Sequence, residues 1–379
     1  MVVHLTTVDM SLALLLLPQL AGIRQAGYEV IGVSAPGAYV QDIEAAGIQH
    51  FPLVASTRAA DVRSDLAAAW EFFRLCRELR PDIVHTHNPK PGVYGRIAAR
   101  LAGVPVVVNT VHGLYAQPQD RPAKRALVYG LERLAATCSA MEFVQSIEDL
   151  PTLRRLGIPE RRLRLFGNGV DLRRFDPARH ADARRVVRDG LGVAETDVLV
   201  GLVGRLVREK GYLEVFEAAA ALRRTYPEVR FVVVGPEEPD KAGSLTPEEL
   251  ERARAHGDVR FLGLREDVER LYPAMDLYVL ASHREGFPRS AMEAAAMGLP
   301  IVATDIRGCR QVVDHGVTGL LVPARDPRSL TSAIEELVGD PQRREAMGQA
   351  ARHKALAEFD DRQQVRTTLE VYEQLLRRS

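Results

Sequence analysis

The stretch LYVLASHREGFPRSAMEAAAMGLPIVATD, residues 277–305, predicts a strand, a loop, a short helix and a second strand. Its first six residues are apolar or small, which is typical of a buried strand, and the Ala-rich segment after Ser290 is typical of a helix. Gly298 and Pro300 are expected to end that helix, because glycine suits the residue after the last turn and proline cannot continue it. Strand–helix–strand units of this kind build parallel, doubly wound α/β sheets.

Two carboxylates lie in this unit, Glu285 in the loop after the first strand and Glu293 one turn into the helix. Between them, the first backbone N–H groups of the helix lack intrahelical partners, and such groups bind phosphate. A carboxylate on either side of an anion site suits a ligand with a phosphate in its middle and hydroxyl groups at both ends. A nucleotide-sugar has that layout.

Strand-like and helical segments alternate along the 379 residues, a length that favours more than one hydrophobic core. The predicted strands lie near Val2–Thr6, Glu29–Ser34, Gln49–Leu53, Ile83–Thr86, Val106–Thr110 and Met141–Val144, and near Val198–Val203, Arg230–Val234, Val259–Leu262, Leu277–Leu280, Ile301–Ala303 and Gly319–Val322. We therefore predict two doubly wound domains, residues 1–168 and 169–358, followed by a C-terminal helix within 359–379.

The composition is that of a globular enzyme and gives no support to nucleic-acid binding, because 50 Lys and Arg balance 50 Asp and Glu. The three cysteines are far apart and form no Cys-x-x-Cys pair, as is typical of free thiols in a reducing compartment. The apolar run Leu12–Leu17 is too short to span a bilayer, and no basic leader precedes the first strand. We expect a cytoplasmic protein.

Five segments, in this order along the family's chain, resemble the retaining GT-B glycosyltransferases of family 4. They are Val111-His112-Gly113, Asn168-Gly169-Val170-Asp171 with Phe175, Gly204-Arg205-Leu206 with Glu209-Lys210-Gly211, the Glu285 to Glu293 stretch, and Thr318-Gly319-Leu320-Leu321-Val322. The resemblance covers nearly the whole chain. It implies two Rossmann-like domains that face a central cleft, with the last helix crossing back to the first domain.

The resemblance also implies roles at the donor site. Glu293 holds the ribose hydroxyls of a nucleotide-diphosphate sugar, for which we expect a UDP-sugar, and Glu285 holds the sugar. Arg205 and Lys210 stabilise the leaving diphosphate, and His112 contacts the donor sugar. Further donor-binding candidates are Gly204, Gly235, Leu264, Gly286, Phe287, Pro288, Arg289 and Ser290.

The chemistry of Arg205 and Lys210 agrees with that implication. A guanidinium grips phosphate oxygens in a bidentate manner, and an ammonium adds a point charge. Fixed cations lower the barrier as the leaving diphosphate gains charge. Metal-dependent sugar transferases of other folds hold a divalent ion with Asp-x-Asp, a motif that the sequence does not contain. We therefore expect a site without a metal or other cofactor.

Acceptor-side candidates are Asp9, Asn88 and Lys90, each in a loop after a strand of the first domain. Many family members carry Gly-Gly near Asp9, so this chain departs from the family there. His85 and His87 flank the end of one strand, and we expect alternate strand residues to face opposite sides, so that they do not form a metal pair. The expected acceptor is a saccharide or a polyprenyl-linked saccharide of cell-envelope polysaccharide synthesis.

The first domain has a small excess of basic residues, which favours peripheral contact with an anionic membrane. Three other functions remain open at this stage. An epimerase that cleaves a UDP-sugar would need a further acid–base cluster, and an NAD-dependent oxidoreductase would need Gly-x-Gly-x-x-Gly after its first strand. A non-catalytic carbohydrate-binding regulator would not need an intact donor signature.

Overall fold

The computed structural model describes residues 1–57, 59, 61–87, 89–116, 120–238 and 243–378. The chain divides into two compact units, of which the first comprises Met1–Asn168 with Asp361–Ser379 and the second Gly169–Asp360. Each unit contains one parallel sheet, which confirms the predicted α/β class. The last helix belongs to the first unit, as the resemblance implies.

The first sheet has seven strands in the order β3-β2-β1-β4-β5-β6-β7. Their bounds are β1 Val2–Val8, β2 Val30–Ala35, β3 Gln49–Pro52, β4 Ile83–His87, β5 Val106–Val111, β6 Met141–Val144 and β7 Leu163–Leu165. Six of them match the predicted strands. The seventh, β7, was not predicted, because an exposed Leu-Arg-Leu segment at a sheet edge has no distinctive apolar pattern.

The second sheet has six strands in the order β10-β9-β8-β11-β12-β13, all of them predicted. Their bounds are β8 Val198–Val203, β9 Val229–Val234, β10 Val259–Phe261, β11 Leu277–Leu280, β12 Ile301–Thr304 and β13 Gly319–Val322. The central strands are apolar on both faces, as expected for a parallel sheet that is covered by helices on both sides.

Helices connect the strands in both units. In the first unit they are α1 Asp9–Ser11, α2 Leu17–Gln25, α3 Val40–Ala45, α4 Val62–Leu79, α5 Pro89–Leu101, α6 Pro122–Ala136, α7 Leu150–Arg155 and α16 Asp361–Leu376. In the second they are α8 Ala183–Leu191, α9 Tyr212–Thr225, α10 Pro247–Gly257, α11 Val268–Leu271, α12 Arg289–Ala296, α13 Cys309–Val312, α14 Pro327–Gly339 and α15 Pro341–Glu358. Within the described parts of the chain, no helix has both the length and the apolar character that crossing a bilayer requires.

The C-terminal helix α16 packs against α2 of the first unit. The amide of Gln19 donates a hydrogen bond of 3.0 Å to the Thr368 hydroxyl. Gly22 lies directly against the Val365 side chain, where a larger residue would collide. Tyr372, further along the helix, is fully buried against the sheet. These contacts fix the helix to the face of the first sheet.

The order of the strands explains where the site candidates lie. In each sheet the direction of winding reverses once, between β1 and β4 in the first sheet and between β8 and β11 in the second. Open α/β sheets bind ligands outside the carboxyl ends of their strands at such a reversal. The loops after β8 and β11 carry Arg205, Lys210 and Glu285, so the three side chains share the reversal point of the second sheet.

Candidate active site

Gly211 brings the loop after β8 against the end of β11. Its backbone is left-handed, with a φ of +72°, and a Cβ at this position would collide with the carbonyl oxygen of Ala281. The approach is held by the backbone N–H of His283, which donates to the carbonyl of Glu209 at 2.8 Å. A glycine is therefore required at residue 211 for the two loops to meet.

The meeting of these loops places Lys210 beside Glu285. The Lys210 Nζ lies 2.6 Å from Oε1 of Glu285, and the Ser282 hydroxyl donates to the same oxygen at 2.7 Å. Both charged side chains are largely buried, with exposed fractions of 23% and 12%. An ion pair shielded from water in this way is stronger than one on the surface, so it fixes the positions of both charges.

Arg205 forms a second pair, with a carboxylate in the loop after β9. Its Nη1 donates to Oε2 of Glu238 at 2.8 Å, and its side chain is 41% exposed. Both predicted phosphate-binding cations are thus paired with a carboxylate. An incoming anion has to offer each cation a better partner than its glutamate, and a diphosphate with several charged oxygens does so.

Gly204, Gly235 and Leu264 lie at the ends of three neighbouring strands, β8, β9 and β10. The Gly204 N–H donates to the Val234 carbonyl and the Gly235 N–H donates to the Gly263 carbonyl, both at 2.8 Å. Gly235 has a φ of +153°, and a Cβ there would collide with the carbonyl oxygen of Gly204. Leu264 follows at the surface, where it is 68% exposed. This edge presents backbone atoms and one apolar side chain, as a pocket for a flat base requires.

Glu293 lies in α12, where its Oε2 accepts a hydrogen bond of 2.8 Å from the Tyr272 hydroxyl. Burial raises the pKa of Glu293, whereas Arg289 and the Tyr272 hydroxyl act in the opposite direction. Burial and the nearby Glu293 also raise the pKa of Tyr272 well above its ordinary value, so the phenol keeps its proton and donates it. The Tyr272 hydroxyl thus fixes one carboxylate oxygen of Glu293.

The remaining donor-site candidates surround the start of α12. Pro288 precedes the helix and offers no side-chain cap, Arg289 and Ser290 are its first two residues, and Phe287 packs edge-on against Phe359. Gly308 supports the loop from the opposite side, since a Cβ there would lie 2.7 Å from the Gly286 carbonyl oxygen. The helix start is thus a fixed feature beside Glu285.

His112 directly follows β5 in the first unit. Its Nε2 lies 3.1 Å from Nδ1 of His87, and the Gln145 side chain also hydrogen-bonds its imidazole. Burial lowers the pKa of His112 to about 4. The imidazole is therefore neutral near pH 7, and it interacts with its neighbours through hydrogen bonds and not through a charge.

The expectation that His85 and His87 face opposite sides of β4 was wrong. Side chains of a strand alternate with a period of two, so residues two apart share a face. The two imidazoles stack with ring centroids 4.2 Å apart. A nitrogen of each, together with one of His4, lies within 4.8 Å of the others, a spacing that metal ligands also show.

The acceptor-side candidates have partners in the first unit. The carboxylate of Asp9 is buried and accepts from the backbone N–H groups of Met10 and Tyr39, both at 2.8 Å. Lys90 donates to the backbone carbonyls of Thr57 and Ala59 and pairs with Asp65. Asn88 lies outside the described residues. Contact of the three with an acceptor stays a prediction.

Sequence reasoning missed Tyr272, Ser282 and Glu238, which hold the predicted site residues in place. Ser282 was visible as the last residue of a buried strand, three positions before Glu285. Tyr272 and Glu238 carry no motif, because their roles depend on contacts over 21 and 33 residues of sequence. Only the folded structure identifies such partners.

Comparison with protein families gives two matches that together cover most of the chain. Residues 16–169 match the glycosyl transferase 4-like domain, and residues 184–354 match the glycosyl transferases group 1. The UDP-Gal:alpha-D-GlcNAc-diphosphoundecaprenol alpha-1,3-galactosyltransferase of Escherichia coli is 32% identical over 73% of this chain and 71% of its own. The capsular polysaccharide biosynthesis glycosyltransferase CapM of Staphylococcus aureus is 25% identical over 94% and 92%.

Solved structures share the fold. The Anabaena protein HepE, in complex with UDP and glucose, superposes with a TM-score of 0.81 and 22% identity over 98% of this chain and 99% of its own. Sucrose-phosphate synthase from Thermosynechococcus elongatus gives a TM-score of 0.81 at 21% identity over 100% and 99%. At these identities the likeness concerns the fold.

Proposed function

Because the chain belongs to the GT-B glycosyltransferases of the family 4 type, we propose that it transfers a sugar from a UDP-sugar without a metal ion. The transfer retains the configuration of the anomeric carbon. The acceptor is a saccharide carried on a polyprenyl diphosphate, and the product enters cell-envelope polysaccharide synthesis at the cytoplasmic face of the membrane.

The observation that carries the proposal is the pair of cations at the reversal point of the second sheet. Lys210 forms an ion pair with Glu285, and Arg205 forms one with Glu238. A diphosphate that binds there takes over both cations, and Glu285 is then free to accept from the hydroxyls of the sugar. One exchange of partners couples phosphate binding to sugar binding.

Metal independence rests on the same two cations. The charge that develops on a leaving diphosphate requires fixed positive groups, which either a divalent ion or positioned side chains supply. Lys210 is held in place by Glu285, and the start of α12 adds backbone N–H groups near Glu285. This set performs the role of the metal ion, in keeping with a sequence that has no Asp-x-Asp.

The proposal of UDP rests on the relative from Escherichia coli, whose name gives UDP-Gal as its donor. Glu293 suits the ribose, because a carboxylate accepts hydrogen bonds from hydroxyl groups and the Tyr272 hydroxyl fixes its position. Gly235 and Leu264 suit the base, since a close backbone and an exposed apolar side chain fit a flat ring. These contacts fix the nucleotide and leave the sugar at Glu285.

The proposal that the anomeric configuration is retained rests on Glu285, the carboxylate that could act as a nucleophile. Glu285 is the nearest carboxylate to the expected sugar, but the Ser282 hydroxyl donates to its Oε1, and the sugar hydroxyls donate to it once the diphosphate has taken Lys210. A carboxylate tied in this way is a weak nucleophile and a good hydrogen-bond acceptor. We infer that the acceptor hydroxyl attacks from the face that the diphosphate leaves, and that a phosphate oxygen takes the hydroxyl proton.

A membrane-borne acceptor agrees with an exposed apolar face of the first unit. Helices α4 and α6 both pack against α5, so they cover the same side of the sheet. Along α4, Val62, Leu66 and Trp70 are 73%, 67% and 62% exposed, a spacing that places them on one stripe. The name of the Escherichia coli relative specifies a diphosphoundecaprenol-linked acceptor.

Helix α6 carries the same pattern beside basic residues. Leu127, Leu131 and Leu134 are 65%, 40% and 56% exposed and follow each other at helical spacing. Arg121 and Lys124 lie at the start of the helix and are also exposed, and Lys124 pairs with Asp120 at 2.8 Å. Apolar side chains beside cations suit reversible binding to an anionic bilayer. We propose the exposed faces of α4 and α6 as the membrane contact.

The apolar run Leu12–Leu17 contributes less to such a contact than the sequence suggests. Leu12 and Leu16 belong to the core of the first unit, whereas Leu14 and Leu15 are about half exposed. In the basic segment near residue 160, Arg154 is paired with Glu160 through two hydrogen bonds. The exposed leucines of α6 are therefore the better candidates.

The proposed function is tested by incubating the purified protein in EDTA with a panel of UDP-sugars and a polyprenyl-diphosphate saccharide. We expect release of UDP and a product that is heavier by one sugar, detected by mass spectrometry. Turnover of only non-uridine donors would contradict the proposed nucleotide. Conversion of one UDP-sugar into another without transfer would indicate an epimerase.

A further inference from the structure

Four histidines and a tyrosine of the first unit form one hydrogen-bonded chain on a face of the first sheet. His4 lies on β1, His85 and His87 lie on β4, His112 follows β5, and Tyr372 comes from α16. The first two contacts join histidines: His112 Nε2 lies 3.1 Å from His87 Nδ1, and His87 Nε2 lies 3.0 Å from His4 Nδ1. The next two meet at the Tyr372 hydroxyl, which lies 3.4 Å from His4 Nε2 and 2.6 Å from His85 Nδ1. The last contact joins His85 Nε2 to the Thr110 hydroxyl at 2.7 Å.

The hydrogen-bonded chain of side chains is buried, and its imidazoles are neutral. His4, His85, His87 and Tyr372 are at most 1% exposed. Burial lowers the pKa of His4 to about 3 and places those of His85 and His87 well below their ordinary value. A neutral imidazole has one N–H donor and one bare nitrogen that accepts. Each ring therefore donates on one side of the chain and accepts on the other.

If the Tyr372 hydroxyl donates its proton to one of its two histidine partners, this rule leaves only two self-consistent arrangements. If His112 donates from Nε2, then His87 accepts at Nδ1 and donates from Nε2, and His4 does the same. His4 then donates to the Tyr372 oxygen, and Tyr372 donates to Nδ1 of His85. All four imidazoles carry their proton on Nε2. In the reverse arrangement, which starts from the Thr110 hydroxyl, all four carry it on Nδ1.

The two contacts of the Tyr372 oxygen decide between the arrangements. The hydroxyl lies 2.6 Å from His85 but 3.4 Å from His4. Hydroxyl donors form shorter hydrogen bonds than N–H donors, so the short contact is the one in which the phenol donates. The long contact is then the one in which His4 Nε2–H donates to the phenol oxygen. This assignment selects the arrangement with the proton on Nε2 in every ring.

We propose that Tyr372 of the C-terminal helix fixes the tautomer of His112 through His4 and His87, so that these three act as positioning residues. His112 then donates its Nε2–H to His87, and Nδ1 is its acceptor nitrogen; the side chain of Gln145 also hydrogen-bonds this imidazole. Insofar as His112 contacts the donor sugar, a part of this inference that rests on the proposed function, it accepts from a sugar hydroxyl and does not donate. The last helix thereby determines which ring nitrogen of His112 donates a hydrogen bond and which accepts one.

A bound metal ion is the competing explanation for this cluster, since nitrogens of His4, His85 and His87 lie within 4.8 Å of one another. However, both nitrogens of His85 and both of His87 already have hydrogen-bond partners in the chain. An ion would have to separate His87 from His4 and His85 from Tyr372 or Thr110. The structure therefore favours the hydrogen-bonded chain, and the test below includes zinc.

The tautomers can be read directly by NMR on protein labelled with ¹⁵N in its ten histidines. Long-range ¹H–¹⁵N spectra distinguish the protonated ring nitrogen from the bare one, and single His→Gln variants assign the signals. At pH 7 we expect His4, His85, His87 and His112 to be neutral with the proton on Nε2. A mixture of tautomers, or a proton on Nδ1, at His112 in the wild-type protein would overturn the proposal. One equivalent of zinc that shifts the four rings would overturn it as well.

Tyr372→Phe tests the direction of control. It removes the acceptor for His4 Nε2–H, so His4, His87 and His112 should move together to the Nδ1–H form. The matched control is Thr368→Val, which breaks the hydrogen bond of the same helix to Gln19 but leaves the chain intact. We expect this control to keep the wild-type tautomers. A His112 tautomer that is unchanged by Tyr372→Phe would contradict the proposal.

Kinetics supply a second readout. Loss of one correctly oriented hydrogen bond should lower kcat/KM for the donor about tenfold in Tyr372→Phe. In a His112→Ala background the same change should have no further effect, because the residue that it orients is gone. Equal losses in both backgrounds would mean that Tyr372 is merely structural. The NMR measurement needs no turnover, so it succeeds or fails independently of the proposed function.

Discussion

Lys210 and Glu285 are 75 residues apart in the sequence and form an ion pair of 2.6 Å at the reversal point of the second sheet. The pair exists because Gly211 allows the loop after β8 to contact the end of β11. We propose that a nucleotide-sugar exchanges this pair for two contacts, Lys210 with the diphosphate and Glu285 with the sugar.

Lys210→Ala and Glu285→Ala should each lower kcat by about 10²-fold, because each removes a positioned charge that acts on the developing transition state. The fold should survive, since neither residue belongs to the apolar core of the second unit, and circular dichroism and the thermal midpoint Tm check this. Lys354→Ala is a matched control, as Lys354 is a partly buried lysine that pairs with Asp314 at 2.7 Å in the same unit. Turnover of Lys210→Ala within a few-fold of wild type would remove this residue from the site.

Tyr272→Phe should weaken donor binding and leave the chemical step nearly unchanged. The Tyr272 hydroxyl holds Glu293 at 2.8 Å, and a hydrogen bond to a charged group contributes about 1.5–3 kcal/mol. We expect Kd for UDP to rise about tenfold in calorimetry. Tyr129→Phe, which removes a hydroxyl bound to the Ala116 carbonyl in the other unit, should leave it unchanged. An equal change in both variants would contradict the role of Glu293 at the ribose.

Leu127→Ser combined with Leu131→Ser should reduce binding to anionic vesicles by more than tenfold. Each exposed leucine that enters the bilayer contributes roughly 1.5 kcal/mol or more. Flotation with phosphatidylglycerol vesicles measures the effect, and wild-type binding should fall as salt rises. The control is Val186→Ser with Leu356→Ser, which are similarly exposed in the second unit. Wild-type protein that fails to float at low salt would refute the membrane contact.

The donor side of the site could be predicted from the sequence because its residues lie in short segments with strong local signals. Glu285, the start of α12 and Gly298 are read from a strand, a turn and a helix that follow one another within 29 residues. Lys210 and Arg205 follow a strand of the same kind. The strands of both sheets could be predicted from runs of apolar residues, and only the short edge strand β7 lacks such a run.

The rest of the site could not be predicted, because it depends on which distant residues meet. Glu238 and Tyr272 hold Arg205 and Glu293, and neither lies in a motif. Asp9 was predicted at the acceptor side, yet its carboxylate binds backbone N–H groups, which the sequence does not reveal. His85 and His87 were assigned to opposite faces by an error in the strand period, and this error concealed the histidine chain.

The buried histidines predict a loss of stability at acidic pH. Their folded-state pKa values lie below the unfolded value near 6.5, with His4 at about 3 and His112 at about 4. The unfolded chain thus binds more protons as pH falls below 6.5, and each histidine costs up to about 1.4 kcal/mol per pH unit until its folded pKa is reached. We expect Tm to fall steeply between pH 6.5 and pH 5.

The variant His4→Gln should make this fall in Tm shallower, whereas the exposed His353→Gln should leave it as in the wild type. Comparison of the two variants by differential scanning fluorimetry separates the histidine chain from the carboxylates, which titrate in both. The same slope in all three proteins would show that His4 is not neutral and buried in solution.

The most direct measurement is ¹H NMR of the sugar product formed from a UDP-sugar in the presence of EDTA. It reports in one spectrum whether turnover needs a divalent ion and which anomer forms first. We predict the same rate with EDTA as with added Mg²⁺, and a first product that keeps the anomeric configuration of the donor. An inverted product, or turnover that EDTA abolishes, would contradict the account of Lys210, Arg205 and Glu285.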